Sequence, residues 1–462
     1  MTAAPQPFQP ARAIEEIADF AADPVAPARF PKHILRFRND RAAAQVGLAG
    51  LDEAAWVDHF ARFRPLPGSL PEPLALRYHG HQFRSYNSDI GDGRGFLFGQ
   101  CFDNRHRLLD FGTKGSGQTP YSRFGDGRLT LKGGVREVLA TEMLEALGVN
   151  TSQTFSLVET GEQLTRGDEP SPTRSAVLVR LSHGHIRIGS FQRLAALQQH
   201  EELARLTTYV LKYYYGEEAS GEAAPRLLAL VVDRTAGLAA SYIAAGFVHG
   251  VLNTDNINVT GESFDYGPWR FAPTFDPDFT AAYFDHAGLY AFGRQAEAIH
   301  WNLVQLAIAL RPLVADTEAL AAALEGFGVA YVRALVDKLL WRLGVLPRDA
   351  EEDLGVVQLT EQTLRSTQVS LDAFFFDWRG GRPRHGIYGN DWDALRERLR
   401  AYAPLPDIHP YWSDAAPCSM LIDEVEAIWT PIAQADDWFR FDAKIAAVRR
   451  MGEALASAAK AA

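Results

Sequence analysis

The sequence predicts an α+β protein with two unequal lobes, a small mixed lobe followed by a larger, mainly helical one. From about residue 45 to residue 190, short β-like runs alternate with Gly-rich connectors and one helical run. From about residue 191 onward, apolar residues recur mostly with helical spacing. With 462 residues, the chain is long enough for one large enzyme of two lobes. We therefore assign residues 1–44 to an N-terminal extension, 45–190 to the small lobe and 191–462 to the helical lobe.

Five runs in the small lobe are typical of strands, and one longer run is typical of a helix. The β-like runs are GFLFGQCF, RLLDFGTK, TFSLVET, SAVLVRLS and HIRIGSF. The helical run extends from Val135 to Leu147, with apolar residues at four-residue steps and Gly148 as a stop signal. It carries Glu137, and it is predicted to be the only helix of this lobe.

The bulk composition excludes several classes of protein. A formal net charge of -11 argues against a broad nucleic-acid footprint, which needs concentrated Lys and Arg. Cys101 and Cys418 are the two cysteines of the sequence, too few for a disulfide framework and without the spacing of a zinc site. The sequence has no run resembling a signal peptide and no uninterrupted apolar run of the roughly 20 residues that a membrane span needs. We expect a cytoplasmic protein without nucleic-acid or membrane partners.

The most specific signal is HGVLNTDN at residues 249–256, followed by DYGP at residues 265–268. It nearly matches the protein-kinase catalytic loop H-R-D-L-x-x-x-N and the metal-binding D-F-G. In that register the matching residues are His249, Leu252, Asn256 and Asp265. Val251 replaces the kinase catalytic Asp, and a different acid, Asp255, lies beside the Asn. A small mixed lobe followed by a helical lobe that begins near this block is the order of elements in a kinase-like bilobal fold.

Asn256 and Asp265 supply two oxygen ligands, the modest protein contribution that Mg²⁺ accepts when phosphates and water complete its octahedron. An Asn/Asp-rich turn is the alternative interpretation of this block.

Two Gly-rich loops are candidate phosphate-binding elements. In GDGRG, Gly91 and Gly93 precede an apolar strand, where a backbone without side chains could approach phosphate oxygens. A hairpin turn is the alternative. Lys114 ends the run LLDFGTK, and Glu137 lies 23 residues later in the helical run. A kinase pairs a strand Lys with a helix Glu in this way; a turn Lys and a surface ion pair are the alternatives.

Arginines and histidines flank the connector SHGH. Arg180 and Arg187 are either edge-strand charges or guanidinium groups that bind phosphate. Two H-x-H pairs are either a metal site or, as we favour, turn or interface histidines: His79, His81, His183 and His185.

Several longer blocks resemble, in order, the signature blocks of the selenoprotein O (SelO/YdiU) family: YHGHQFRSYNSDIGDGRGFLFG, TKGSGQTPYSRFGDGR, VREVLATEMLEALGV, VLVRLSHGHIRIGSF, HGVLNTDNINVTGESFDYGP and YAFGRQAEAIHWNL. Members have a pseudokinase fold, bind ATP in a reversed orientation and transfer AMP to protein hydroxyls. The chain departs from the family pattern at Arg84-Ser85, where Gly-Gly is usual, and from about residue 345 onward the similarity is faint.

The resemblance implies a role for individual residues. The implied nucleotide-binding residues are Gly91, Gly93, Arg94, Lys114, Asp126, Gly127, Arg180, Arg187 and Asp265. Asp255 would be the proton acceptor, Lys114 and Glu137 would complete the catalytic group, and Asn256 and Asp265 would bind Mg²⁺ or Mn²⁺.

The expected function is therefore a protein nucleotidyltransferase that moves AMP from ATP to Ser, Thr or Tyr hydroxyls of proteins, the chain itself among them, and releases pyrophosphate. The alternatives are a catalytically silent nucleotide-binding pseudokinase scaffold, transfer of UMP, and an atypical phosphotransferase.

Overall fold

Nine strands form one antiparallel sheet in the computed structural model, which describes residues 7–167, 169–219, 221–384, 388–406 and 409–460. The strands of the described residues are β1 (Gln9–Ala11), β2 (Ala22–Pro24), β3 (Ile34–Arg38), β4 (Leu74–Leu76), β5 (Gly80–Gln82), β6 (Ser85–Asn87), β7 (Leu97–Phe102), β8 (Leu108–Lys114), β9 (Leu129–Thr130), β10 (Gln153–Leu164), β11 (Thr173–Ser182), β12 (Phe247–Val248) and β13 (Arg270–Phe271). The main order is β2-β4-β7-β8-β11-β10-β3, with β1 on β7 and β9 on β11. β5 and β6 form a separate hairpin, and β12 pairs with β13.

The helices are α1 (Ala18–Ala21), α2 (Asp40–Gln45), α3 (Glu53–Phe60), α4 (Leu131–Ala146), α5 (Ile188–Ala196), α6 (His200–Val210), α7 (Ala223–Ala245), α8 (Gln295–Leu310), α9 (Glu318–Leu343), α10 (Ala350–Thr367), α11 (Leu371–Asp377), α12 (Asp393–Leu399), α13 (Ile422–Ala435) and α14 (Phe439–Lys460). From α5 onward the described residues are mainly helical. The predicted α+β class is confirmed.

The register of β8 and β11 fixes the side chains that face α4. Leu178 lies opposite Lys114, and Arg180 lies opposite Gly112. Side chains of directly opposed residues, and of residues two apart on one strand, share a face of the sheet. Lys114 and Arg180 therefore project from the same face, on neighbouring strands.

The predicted helix is α4, but it begins four residues earlier than expected, at Leu131. The Thr130 side chain accepts a hydrogen bond from the Gly133 backbone and caps the helix. Gly133-Gly134 weakens the helical pattern in the sequence. Gly134 is nevertheless required there, because a Cβ would lie 2.4 Å from a methyl group of Leu157.

Two expectations about the small lobe are wrong. α3 is also a helix, so α4 is not the only one between residues 45 and 190. Of the run HIRIGSF, only Arg187 forms an isolated bridge, and α5 begins at Ile188. Ile188, Phe191 and Leu194 have helical spacing and are buried, which outweighs the short alternation before them.

The segment predicted as an N-terminal extension contributes β1, β2 and β3 to the sheet. Residues 1–6 of that segment lie outside the described ranges. Behind the sheet, Trp56 of α3 stacks on Phe155 of β10 with ring centroids 4.7 Å apart, and Phe60 packs against both. This aromatic cluster forms a core of its own on that face.

Among the residues that the structure describes, two helices are long and apolar enough to cross a membrane by length and composition, α7 and α9. The apolar window of α7 is 72% buried inside the fold, whereas that of α9 is 11% buried.

Candidate active site

A cavity of about 600 Å³ brings together most of the residues singled out in the sequence. The predicted residues that line it are Gly91, Gly93, Arg94, Lys114, Asp126, Gly127, Arg180, Arg187, Asp255 and Asp265. Glu137 and Asn256 do not line the cavity, but each contacts a residue that does. Residues up to about 175 positions apart in the sequence therefore converge on one site.

Lys114 and Glu137 form a buried ion pair. Lys114 Nζ lies 2.6 Å from Glu137 Oε2 and 3.2 Å from Asp265 Oδ1. Lys114 is 3% exposed and Glu137 is 1% exposed. Burying a charge is costly unless it is paired, so each residue holds the other in place. The two alternatives of a turn Lys and a surface ion pair are wrong.

Asp265 lies among cations. Its Oδ1 is 3.2 Å from Lys114 Nζ and 3.4 Å from an Arg180 guanidinium nitrogen. Burial alone would raise the pKa of this carboxyl, but Lys114, Arg180 and Arg187 hold the pKa well below its ordinary value. Asp265 also has a φ of 63°, in the left-handed region that an Asp adopts only at a cost.

The side chains of Asn256 and Asp265 are near enough to share a ligand. Asn256 Nδ2 lies 3.4 Å from Asp265 Oδ2, and exchanging the amide atoms by a flip would turn the Asn oxygen toward the same point. A carboxylate whose pKa is held low, together with an amide oxygen, is a donor set that suits Mg²⁺ or Mn²⁺ alongside phosphate oxygens. The residues present therefore fit the metal implied by the family resemblance.

Arg180 is held by a buried chain of side chains that the sequence did not reveal. Its Nε donates to His185 Nε2 at 3.2 Å, so the neutral imidazole carries its proton on Nδ1, which donates to Asp110 Oδ2 at 3.2 Å. Gln100 Nε2 donates to the other oxygen of Asp110 at 2.7 Å. Burial lowers the pKa of His185, which keeps the ring neutral. Gly112 makes room for this ring, because a Cβ there would lie 2.2 Å from His185 Nε2.

The H-x-H histidines are structural. His183 contacts the Tyr214 ring, and burial lowers its pKa to about 4. His79 bonds to the Tyr86 hydroxyl, and His81 bonds to the side chain of Gln192. Within the described ranges, no group of three or more His, Cys, Asp or Glu side chains is arranged to hold a metal ion.

Arg187 is 2% exposed, and its guanidinium lies 4.2 Å from the Tyr78 ring centroid and 4.9 Å from that of Phe264. It donates to the Asp255 carbonyl oxygen at 3.1 Å and to Asp92 Oδ1 at 3.4 Å. Arg187 therefore links the loop that carries Asp255 to the GDGRG loop.

Arg180 lies on β11, which is between β8 and β10 in the sheet. The alternative that Arg180 is an edge-strand charge is therefore wrong.

Asp255 is 8% exposed and lies in a short 3-10 helix, Thr254–Asn256. Burial raises its pKa to about 6, although the charge of Arg187 opposes that rise. Oδ2 accepts from Gln82 Nε2 at 3.3 Å, whereas Oδ1 is buried without a hydrogen-bond partner among the described residues. Gln82, like Tyr78 and Asp92, was not identified from the sequence.

The glycines of GDGRG allow two loops to touch. A Cβ on Gly91 would lie 2.4 Å from the Tyr121 ring, and one on Gly93 would lie 2.9 Å from the Tyr121 carbonyl oxygen. Gly127 has a φ of 68° and packs against Gly117. The alternative that these glycines form a hairpin turn is therefore wrong. They allow the two loops to pack together at the rim of the cavity.

Asp126 and Arg94 lie at this rim. Asp126 is paired with Arg166 at 2.8 Å, which contributes to holding its pKa below the ordinary value despite partial burial. Arg94 is exposed and faces the same cavity.

Comparison with known proteins gives one consistent result. Residues 7–383 match the family described as "Protein adenylyltransferase SelO". The chain is 43% identical over 460 residues to "Protein nucleotidyltransferase YdiU" of Synechocystis sp., which covers 93% of this chain and 95% of the relative. The proteins of the same name are 44% identical in Gloeobacter violaceus (96% and 95% coverage) and 42% identical in Synechococcus elongatus (97% and 96% coverage).

Proposed function

The chain belongs to the SelO family of protein adenylyltransferases, and from that premise we propose that it transfers AMP from ATP to hydroxyl groups of proteins. The observation that carries the proposal is the buried pair of Lys114 and Glu137, which meets Asp265 and Arg180 at the inner wall of a cavity large enough for a nucleotide. A silent scaffold has less need of so costly a buried arrangement.

We also propose the finer fold assignment, a kinase-like arrangement of two lobes with the nucleotide between them. The cavity supports this assignment, because its wall combines loops and strands from residues 78–187 with Asp255 and Asp265 from the mainly helical part of the chain.

In the proposed reaction, the oxygen of the acceptor hydroxyl bonds to the α-phosphorus of ATP. The bond from the α-phosphorus to the oxygen that bridges to the β-phosphorus breaks, and pyrophosphate leaves. The hydroxyl proton passes to Asp255. A pKa raised to about 6 suits this role, since the carboxyl is ionised at neutral pH yet more basic than an ordinary Asp.

The cations of the inner wall favour the reversed orientation of the nucleotide. Arg180 is buried and fixed by the His185 side chain, and Arg187 is buried and fixed by the Asp255 backbone carbonyl, so they can bind the γ end without reorganising. Lys114 would bind phosphate oxygens nearer the α-phosphorus, and the glycines of the rim would leave room for the rest of the nucleotide. Positioning and electrostatics would then supply most of the rate.

Asn256 and Asp265 would hold Mg²⁺ or Mn²⁺. A divalent cation bound there would neutralise negative charge on the phosphate oxygens as pyrophosphate leaves.

We expect Ser, Thr and Tyr side chains as acceptors, those of the chain itself included. The two cysteines are free thiols, consistent with a reducing, cytoplasmic location.

Labelled nucleotides test the proposal. The protein is incubated with Mg²⁺ or Mn²⁺ and with α-labelled ATP, γ-labelled ATP or α-labelled UTP, with itself and a mixture of soluble proteins as acceptors. Protein-bound label from α-labelled ATP alone supports adenylyl transfer. Label from the γ position would support a phosphotransferase, preferential label from UTP would support uridylyl transfer, and no label with any nucleotide would contradict the proposal.

The metal assignment has its own control. Asp265→Ala and a chelator should each abolish labelling, whereas Asp276→Ala, which changes an Asp outside the cavity, should not. Full labelling by Asp265→Ala would contradict the assigned site.

A further inference from the structure

The hairpin of β5 and β6 lies directly against the loop that carries Asp255. Three consecutive hairpin residues bind three consecutive loop residues. The His81 backbone N–H donates to Thr254 Oγ1 at 2.7 Å, Gln82 Nε2 donates to Asp255 Oδ2 at 3.3 Å, and the Phe83 backbone N–H donates to Asn253 Oδ1 at 3.0 Å. The hairpin and the loop are about 170 positions apart in the sequence, so these contacts are a feature of the tertiary fold.

The amide of Gln82 is oriented by a second hairpin residue. Asn87 Nδ2 donates to Gln82 Oε1 at 3.1 Å, which leaves the Gln82 NH₂ group to donate to Asp255. On the other side of the carboxylate, Gly80 approaches so closely that a Cβ would lie 3.0 Å from Asp255 Oδ1. The hairpin thus lies against both oxygens of the Asp255 carboxylate, with Gln82 at Oδ2 and Gly80 at Oδ1.

The turn of this hairpin is strained. Phe83 has a φ of 50° and Arg84 a φ of 63°, the left-handed conformation that a two-residue hairpin turn favours but that Gly or Asn adopts at least cost. Such strain persists only where surrounding contacts hold it, and it concentrates at functional sites.

Contacts with the helical part of the chain hold the turn. The Phe83 ring packs 5.1 Å from the Tyr290 ring centroid. The Arg84 guanidinium lies 3.2 Å from Glu297 and 5.5 Å from the Trp301 ring centroid, both residues of α8. The tip of the hairpin therefore contacts α8, and its side contacts the loop of residues 253–255, which we call the catalytic loop.

We propose that the β5–β6 hairpin is a positioning element of the active site, in which Gln82 orients the Asp255 carboxylate toward the acceptor hydroxyl and Arg84 fixes the hairpin on α8. This inference rests on the proposed adenylyl transfer, because it assigns Gln82 and Arg84 to the positioning of the proton acceptor. Neither residue contacts the phosphate-binding cations Lys114, Arg180 or Arg187.

Gln82→Ala tests the positioning of Asp255. Turnover should fall by about tenfold or more, because a small displacement of a reacting group costs that much, while the KM for ATP stays within about twofold. The charged and titratable groups around the carboxyl are Arg187, Asp265, Tyr78 and Tyr290. The variant leaves all of them in place, so a fall in kcat with an unchanged KM for ATP reports the lost hydrogen bond.

Gln82→Glu should lower kcat at least as much, because a second carboxylate cannot donate to Asp255. Ser85→Ala, an exposed change on the same hairpin, should leave kcat unchanged. Wild-type kcat in Gln82→Ala, or a KM for ATP that changes in step with kcat, would overturn the proposal.

Arg84→Ala tests the link to α8, with a readout that does not need activity. Hydrogen exchange of the His81 and Phe83 amides, which donate to the catalytic loop, should become faster in Arg84→Ala and in Glu297→Ala, and the double variant should add little because both remove one contact. Unchanged exchange would overturn the role of Arg84. If the wild-type protein transfers no label from ATP, the proposed function fails, whereas the exchange experiment still decides whether the hairpin is fixed through α8.

Discussion

Both faces of the central sheet bury apolar side chains, but one of them also buries a cluster of charges, although the same strands form both. On one face Trp56, Phe60 and Phe155 pack around Phe111 of β8 in a dry aromatic core. On the other face the same strand presents Asp110 and Lys114, which meet Arg180, His185 and Glu137 in a buried charged network. Apolar burial stabilises a fold directly, whereas buried charges at best offset their own desolvation. We call the face with this network the charged face. Its buried charges contribute less to the free energy of unfolding than apolar side chains would, as expected of residues kept for function.

Removing one partner of the buried ion pair should have the largest effect. Glu137→Ala leaves Lys114 without its nearest carboxylate and is expected to lower the free energy of unfolding by about 3–5 kcal/mol and to abolish labelling from α-labelled ATP. The double variant Lys114→Met/Glu137→Met should recover most of that stability while remaining inactive. Urea denaturation and labelling measure the two quantities. If the double variant is as unstable as Glu137→Ala, the pair stabilises the fold and the contrast between the faces fails.

A truncation on the aromatic face should produce the complementary result. Phe155→Ala removes a buried ring that packs against Trp56, Phe60 and Phe111 and should cost about 3–5 kcal/mol of unfolding free energy. Because the ring does not line the cavity, kcat per folded molecule and the KM for ATP should stay at their wild-type values well below the melting temperature. A large fall in kcat for the folded variant would show that the two faces are not separable. Phe439→Ala, a change of an exposed Phe, is the control for stability.

The arginines of the charged face should distinguish ATP from AMP. If Arg180 and Arg187 bind the γ end, Arg180→Ala and Arg187→Ala should weaken ATP binding by about 1.5–3 kcal/mol, roughly tenfold to a hundredfold, and AMP binding much less. Calorimetric titration of both ligands measures this difference. His185→Gln offers a milder test, because it disturbs the bond that fixes Arg180 while keeping the guanidinium. Equal weakening for the two nucleotides, or none, would contradict the reversed orientation.

The parts of the site that the sequence predicted are those carried by short, nearly contiguous patterns. Asp255, Asn256 and Asp265 fall within one block of 20 residues, and Lys114 and Glu137 were linked by a strand, a loop and a helix of recognisable periodicity. The α+β class followed from the same periodicity. Gln82 and the chain from Arg180 through His185 to Asp110 could not be found this way. Their contacts join positions up to 173 residues apart, and a lone Gln, His or Asp carries no local signal of such a partner.

Short elements were missed for a related reason. β1 and β2 have three residues each, and α3 has eight. In elements this short, neither the alternation typical of a strand nor the apolar spacing typical of a helix repeats often enough to be recognised. These elements exist because the sheet and the aromatic core supply their partners. Trp56 of α3, fully buried in that core, could be recognised as important only once Phe155 and Phe111 were seen beside it.

The smallest expected effect on stability concerns Asp255, where the cost of one buried charge can be measured directly. Its pKa in the folded protein is raised to about 6, above the ordinary value of 3.8, so the protonated form is favoured by folding. The stabilisation of the protonated form is fully present below about pH 4 and is lost as the pH rises through 6. At pH 8 the ionised wild-type carboxylate therefore destabilises the fold. The neutral variant Asp255→Asn should then be more stable by up to about 3 kcal/mol, with the difference shrinking toward zero near pH 4. The same variant should lose transfer activity, and the activity of the wild type should fall on the acid side with a midpoint near pH 6, because only the ionised carboxylate accepts the proton. Urea denaturation at several pH values, together with the pH dependence of kcat, measures both halves. If Asp255→Asn is less stable than the wild type at pH 8, other groups of the folded protein offset the cost of burying the Asp255 charge. The ionised carboxylate would then not lower the stability of the fold.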